Sequence, residues 1–153
     1  MQVPNRTKLQ LLTSSIDLSA DTIRVAFYDD TTAFTFDPDV HEFVDDILDG
    51  GTTAQEMSGT GYSRQTVANQ TTTQDDTNDQ ASFDGDDLTW TGIDAGTIQG
   101  AIIYRQVGGD DTTPADDDVI IVLDDADLAS LPLATNGSDV IISWDTLGIA
   151  TLS

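Results

Sequence analysis

Val119-Ile120-Ile121-Val122-Leu123 is an unbroken apolar run. Successive side chains of a strand point to opposite faces, so this one is apolar on both and predicts a central strand covered on each side. Upstream, Gly108-Gly109-Asp110-Asp111-Thr112-Thr113-Pro114-Ala115-Asp116-Asp117-Asp118 is small, polar and acidic, and predicts an exposed, mobile loop. Downstream, Asn136-Gly137 is a preferred tight-turn pair and predicts a hairpin or a tight corner before Val140. From residue 52 onward strand-like stretches recur about ten residues apart between Gly, Asn and Asp clusters, the pattern of a sandwich or barrel rather than of alternating β and α. Strands are predicted near 53–57, 62–68, 80–84, 87–91, 97–105, 118–124 and 139–144, with a last short one at 148–152.

Before residue 52 the periods differ. Thr22-Ile23-Arg24-Val25-Ala26-Phe27-Tyr28 alternates, which puts Ile23, Val25 and Phe27 on one face of a half-buried strand. Asp37-Pro38 then opens a stretch with apolar residues at 40, 43, 44, 47 and 48, closed by Gly50-Gly51. That spacing predicts one short helix near residues 38–49. Lys8-Leu9-Gln10-Leu11-Leu12 is too brief to stand as an isolated helix and is expected to dock on the sheet or on a neighbour. The expectation is a mainly β chain: one antiparallel, jelly-roll-like sandwich domain over 1–153, with a short amino-terminal docking segment, 1–20. No internal repeat or interdomain linker breaks it.

Charge narrows the function. The 153 residues carry 26 Asp, two Glu, four Arg and only one Lys, Lys8, for a formal net charge of -23. At ordinary ionic strength the Debye length is roughly 8–10 Å and such a field opposes compaction; near 1 M salt it is about 3 Å and the repulsion is screened. The composition therefore predicts a halophilic protein. Acidic disorder fits poorly with 38% hydrophobic residues and two tryptophans. Five Lys and Arg cannot supply the cationic patch that nucleic-acid phosphates or anionic lipid surfaces require, so neither is expected as a partner. No run approaches the 18 apolar residues of a membrane span, and none has signal-peptide form. Without cysteine there are no disulfides, thiolate metal sites or thiol nucleophile.

The Asp clusters offer hard oxygen ligands in turns. Asp84-Gly85-Asp86-Asp87 is the best candidate for Ca2+ or Mg2+, because Gly85 permits a sharp turn between carboxylates. No cluster is followed by the bidentate Glu of an EF-hand, and in so acidic a chain such clusters arise without a site. No cofactor is otherwise expected. His41, the single histidine, lacks the partners of a catalytic base and reads as structural. Gly59-Thr60-Gly61-Tyr62-Ser63 matches neither a phosphate loop nor a nucleophile elbow and reads as a turn into Tyr62. No constellation marks a catalytic residue, so an enzyme is not expected. Asn5, Asn69 and Asn136 stand in N-x-S/T sequons, candidate glycan sites on an outward-facing protein.

Several blocks occur together in order: Thr22-Ile23-Arg24-Val25-Ala26, then His41 and Phe43, Ser58-Gly59-Thr60-Gly61-Tyr62, and Asp75-Asp76-Thr77-Asn78-Asp79-Gln80-Ala81-Ser82-Phe83-Asp84. Asp87-Leu88-Thr89-Trp90, Gly100-Ala101-Ile102-Ile103-Tyr104 and Ile142-Ser143-Trp144-Asp145 with Gly148-Ile149 follow. From about residue 20 to the end this order resembles a family of small virion proteins of tailed phages and of tailed viruses of haloarchaea. The resemblance implies a β-rich particle component and no catalytic residue. Relatives carry scattered lysines where this chain has Asp and Thr, a departure in keeping with a halophilic host.

The expected function is thus a non-enzymatic virion structural protein, a capsid-associated decoration, turret or vertex protein that binds the major capsid protein and forms a homo-oligomer, a trimer or pentamer. Leu9, Leu11 and Leu12, with Tyr62 and Tyr104, are its candidate contact residues. The rival is a tail- or vertex-associated adhesin that binds a host glycan or S-layer, with a metal in an Asp-rich loop.

Overall fold

The alternation of apolar residues becomes two stacked layers in the computed structural model, which describes residues 1–29, 34–48, 54–125, 127–128 and 130–153. Along the chain lie α1 (Asn5–Leu12), β1 (Ile23–Asp29), α2 (Val44–Ile47), β2 (Gln65–Thr66), β3 (Thr71–Asp75), β4 (Gln80–Asp84), β5 (Leu88–Trp90), β6 (Gly96–Arg105), β7 (Asp118–Leu123), β8 (Leu133–Thr135), β9 (Val140–Ile142) and β10 (Ala150–Leu152). The main sheet runs β2-β1-β6-β7, with β8 also on β6. A three-stranded sheet, β10-β4-β3, and a β5-β9 pair lie against it, and every ladder is antiparallel. The protein is a mainly β antiparallel sandwich.

The main sheet is covered on both faces. One face carries Ile23, Val25, Phe27, Ile103 and Ile121 into the sandwich core with Trp90 and Phe83. Phe27 stacks on the fully buried Trp90 at 4.3 Å between centroids, a pair worth about 0.5–1.5 kcal/mol beyond its buried area. The other face carries Ala26, Tyr28, Ile102, Tyr104 and Val122 into a second cluster with Val44 and Ile47 of α2. Strand β1 is therefore buried on both sides, where alternation predicts half burial. Arg24 had marked its second face as polar, yet Ala26 and Tyr28 lie under α2.

Strand β7 is buried at every residue, but it is not central: it ends the main sheet. Its outer edge is closed by pieces with no strand signal. Gln2 and Val122 exchange backbone hydrogen bonds of 3.2 and 2.8 Å, and Val119 N–H donates to the Glu42 carbonyl at 2.9 Å. A bulge between Ile103 and Tyr104 leaves Ile120 unpaired, so Ile120 and Ile121 both enter the sandwich core while Val119 and Val122 face the other cluster.

The predicted helix over 38–49 shrinks to α2, Val44–Ile47, because Glu42 and Phe43 are drawn out as an extended bridge to β7. Asp37 and Pro38 form a turn instead. Asp46 caps the helix, its Oδ2 accepting from the N–H groups of Glu42 at 3.0 Å and Phe43 at 2.8 Å. Residue 49 lies outside the described residues, as does residue 53 of the strand predicted at 53–57; residues 55 and 57 bond the backbone of β1, with a single bridge at Glu56. Strands β3 and β8, which were not predicted, are additional. Asn136-Gly137 is a tight corner, since β8 and β9 that flank it belong to different sheets.

Candidate docking surface

The four arginines are consumed inside the molecule. Arg64 grips Glu56 through two bonds of 2.8 Å, lies over the Tyr104 ring at 5.4 Å and approaches Asp111 at 3.5 Å. Arg24 pairs with Asp111, Arg105 with Asp118, and Arg6 with the other oxygen of Asp118 at 2.9 Å. Asp111 also accepts from Tyr104 Oη at 2.8 Å and Gln106 Nε2 at 2.7 Å. Burial works to raise the Asp111 pKa, but these hydrogen bonds and the two guanidiniums outweigh it and hold the carboxyl below its ordinary range.

The loop predicted at 108–118 is exposed at Gly108, Gly109, Asp110, Thr112, Thr113, Ala115 and Asp116, while this network pins it at Asp111, and Asp117 and Asp118 are buried. Asp117 Oδ1 accepts from Val107 N–H at 2.7 Å and its carbonyl takes Val44 N–H at 3.0 Å, so the loop is closed on its own start, just after β6, and tied to α2. Asp117 Oδ2 is buried without a partner, and burial pushes this carboxyl's pKa up.

Of the carboxylates singled out as a metal site, Asp86 and Asp87 are exposed and Asp84 is half-buried. Asp86 Oδ2 accepts from Asn69 Nδ2 at 2.7 Å, Asp87 Oδ1 accepts from Trp144 N–H at 3.0 Å, and Asp84 pairs with Thr71 in the β3–β4 ladder. Gly85 serves close packing rather than a sharp turn, since a Cβ there would overlap Val67. Among the described residues no three His, Asp or Glu side chains are grouped to hold a metal. His41 is buried between Phe34 and Phe36, its Nδ1 accepting from Asp37 N–H at 2.8 Å. Gly59 and Gly61, at φ of 113° and 80°, form the turn into Tyr62. The contact candidates Tyr62 and Tyr104 face inward, and burial raises both phenol pKa values. Asn5, Asn69 and Asn136 are exposed, although the Asn5 and Asn69 amides already bond Asp39 and Asp86.

One surface stands apart. The sandwich is open at the end where the three-stranded sheet leaves the main sheet, giving an apolar cleft of about 450 Å³. Ile120 and Ile121 form one wall, Phe83 and Leu152 the other, and Leu11 and Lys8 of α1 the rim. Phe83 enters the core, but Ala81, two residues earlier on the same face, is too small to fill the gap. No Asp or Glu among the described residues lines this cleft, in a chain with 28 acids. Beside it, sharing Ala81 and Leu152, is an open depression lined by Asp75, Asp76 and Asp79.

Helix α1 is held by Thr7, which donates to the Val119 carbonyl, and by Arg6 and Gln10 on Asp118. It turns Leu11 into the cleft and leaves Leu9 61% and Leu12 85% exposed. Lys8 Nζ donates to Asn5 Oδ1 at 2.9 Å and, among the described residues, has no carboxylate in ion-pair range. A compositional signal marks this region too: residues 1–16 contain no acid at all. No family model, curated protein or solved structure matches the chain.

Proposed function

We propose that this chain is a non-enzymatic structural protein of a halophilic tailed virus, a capsid-associated decoration, turret or vertex protein that forms homo-oligomers and binds the major capsid protein. The observation that carries the reading is the acid-free apolar cleft with the exposed leucines of α1, a surface suited to burial on a molecule of charge -23. Isolated exposed apolar residues are ordinary, but a contiguous apolar patch rimmed by polar surface is typical of an interaction site. The arginine network gives the reading further support. It uses the cations internally, leaving the outer surface acidic and suited to screening by concentrated salt. The ordered blocks that resemble virion proteins, from Thr22 to Ile149, supply the particle context.

Immunogold labelling of intact particles with antibody against this chain tests the proposal. Gold on the heads is expected. Gold confined to tails would transfer the chain to the adhesin reading, and unlabelled particles with a labelled lysate would contradict a virion role.

A further inference from the structure

We infer that the cleft is filled by α1 of a second copy of this chain, with Leu12 seated between the two sheets and Lys8 on the acidic depression next to it. This inference rests on the homo-oligomeric reading above and names its interface.

The argument is complementarity between two surfaces of the same molecule. Lys8 and Leu12 are four residues apart, so they project from one face of α1 about 6 Å apart along its axis. An ammonium and an apolar side chain are thus presented one turn apart. The receiving surface repeats that pair in reverse order of chemistry: the apolar cleft and the depression of Asp75, Asp76 and Asp79 adjoin through Ala81 and Leu152. Leu12 is the most exposed of the large apolar side chains and Lys8 the one side-chain cation without a carboxylate in ion-pair range, both among the described residues.

Electrostatics selects a second copy over the same contact elsewhere on the molecule. Two chains of charge -23 repel strongly, and the repulsion is lowered where the acid-free residues 1–16 meet the acid-free cleft and Lys8 meets Asp75, Asp76 and Asp79. Salt that screens the remaining charge leaves burial of Leu12 to drive association. Helix and cleft are neighbours on one chain, so a contact made by one copy can be returned by its partner in a closed assembly.

Sedimentation velocity of the purified chain at about 2 M KCl, where the Debye length is below about 3 Å, tests this. The wild type is expected to sediment as a closed multiple of 16.3 kDa. Leu12→Asp removes the inserted group and Ala81→Trp fills the cleft; each is expected to weaken association by at least about tenfold. Both positions are exposed, and Leu12→Gln repeats the first test without a new charge. An equimolar mixture of Leu12→Asp and Ala81→Trp combines one intact helix face with one intact cleft, and is expected to form a hetero-oligomer that neither variant forms alone. A monomeric wild type, variants that associate normally, or a mixture that stays monomeric would each overturn the inference. Particle labelling decides the virion reading separately: a labelled particle built from a monomeric chain removes only the interface, and an oligomer missing from particles removes only the virion role.

Discussion

Asp111 and Asp117 stand six residues apart on one pinned loop and are held in opposite senses. Asp111 has its pKa lowered by Tyr104, Gln106 and two guanidiniums acting against burial, so its stabilising contribution is present above the unfolded value of about 3.9 and is lost as pH falls through the folded value. Asp117 has its pKa raised by burial, so its ionisation works against folding, and that cost is relieved as pH falls through the raised value towards the unfolded one. Asp117→Asn keeps the acceptor for Val107 N–H and removes the buried charge; it is expected to raise Tm at pH 7 by about 2–4 °C, with the gain vanishing below about pH 4. Asp111→Asn leaves Arg24 and Arg64 short of a partner and is expected to cost about 1–3 kcal/mol at pH 7 in denaturant unfolding. Slopes of opposite sign are the signature to look for; a destabilised Asp117→Asn would show that the carboxylate is better accommodated than its surroundings imply. Gly100 is a sharper case, since any Cβ there would overlap the Tyr28 hydroxyl and the Leu123 carbonyl. Gly100→Ala is expected to lower stability by about 1–3 kcal/mol, and an unchanged chemical melt would contradict the close packing of β6 on β1.

At the scale of elements, the 107–118 segment is a loop of turns anchored at Asp111 and Asp117. Amide exchange of Val107, Val119 and the Asp118 backbone is expected to be slow and that of Gly108 to Asp110 fast; uniform rapid exchange across the segment would mean that the Arg24–Arg64–Asp111 network does not hold it. No periodicity announces such a network, which is why composition alone points to a mobile loop. Strand β4 (Gln80–Asp84), by contrast, is legible to the residue, and β6 nearly so, because a half-buried or fully buried strand writes its burial into the sequence. The exposed threonines of β3 write nothing, and that edge strand is missed. The apolar run of β7 signals burial on both faces correctly but not its place in the sheet: Gln2 and Glu42 close its edge through backbone groups that any side chain could carry. The docking surface was half visible. Leu9, Leu11 and Leu12 stand out as an amphipathic start, while the opposing wall depends on where β4 and β10 come to rest against Ile120 and Ile121, a long-range outcome with no local pattern.

Across the whole molecule, the charge of 28 acids contrasts with an apolar cleft that no Asp or Glu among the described residues lines. At 0.1 M KCl the Debye length is about 10 Å and neighbouring surface carboxylates repel; at 1 M it is about 3 Å. Thermal unfolding is therefore expected to shift upward steadily from 0.1 M to about 2 M KCl, and an unchanged midpoint would refute the halophilic reading. Under the proposed function, the same screening would let the apolar cleft and helix α1 associate with the particle and with further copies of the chain. Quantitative mass spectrometry of particles from the source virus, with heads separated from tails on a gradient in high salt, tests the virion assignment most directly. Enrichment in the head fraction at tens of copies or more is the predicted result; absence of the chain from both fractions would contradict it.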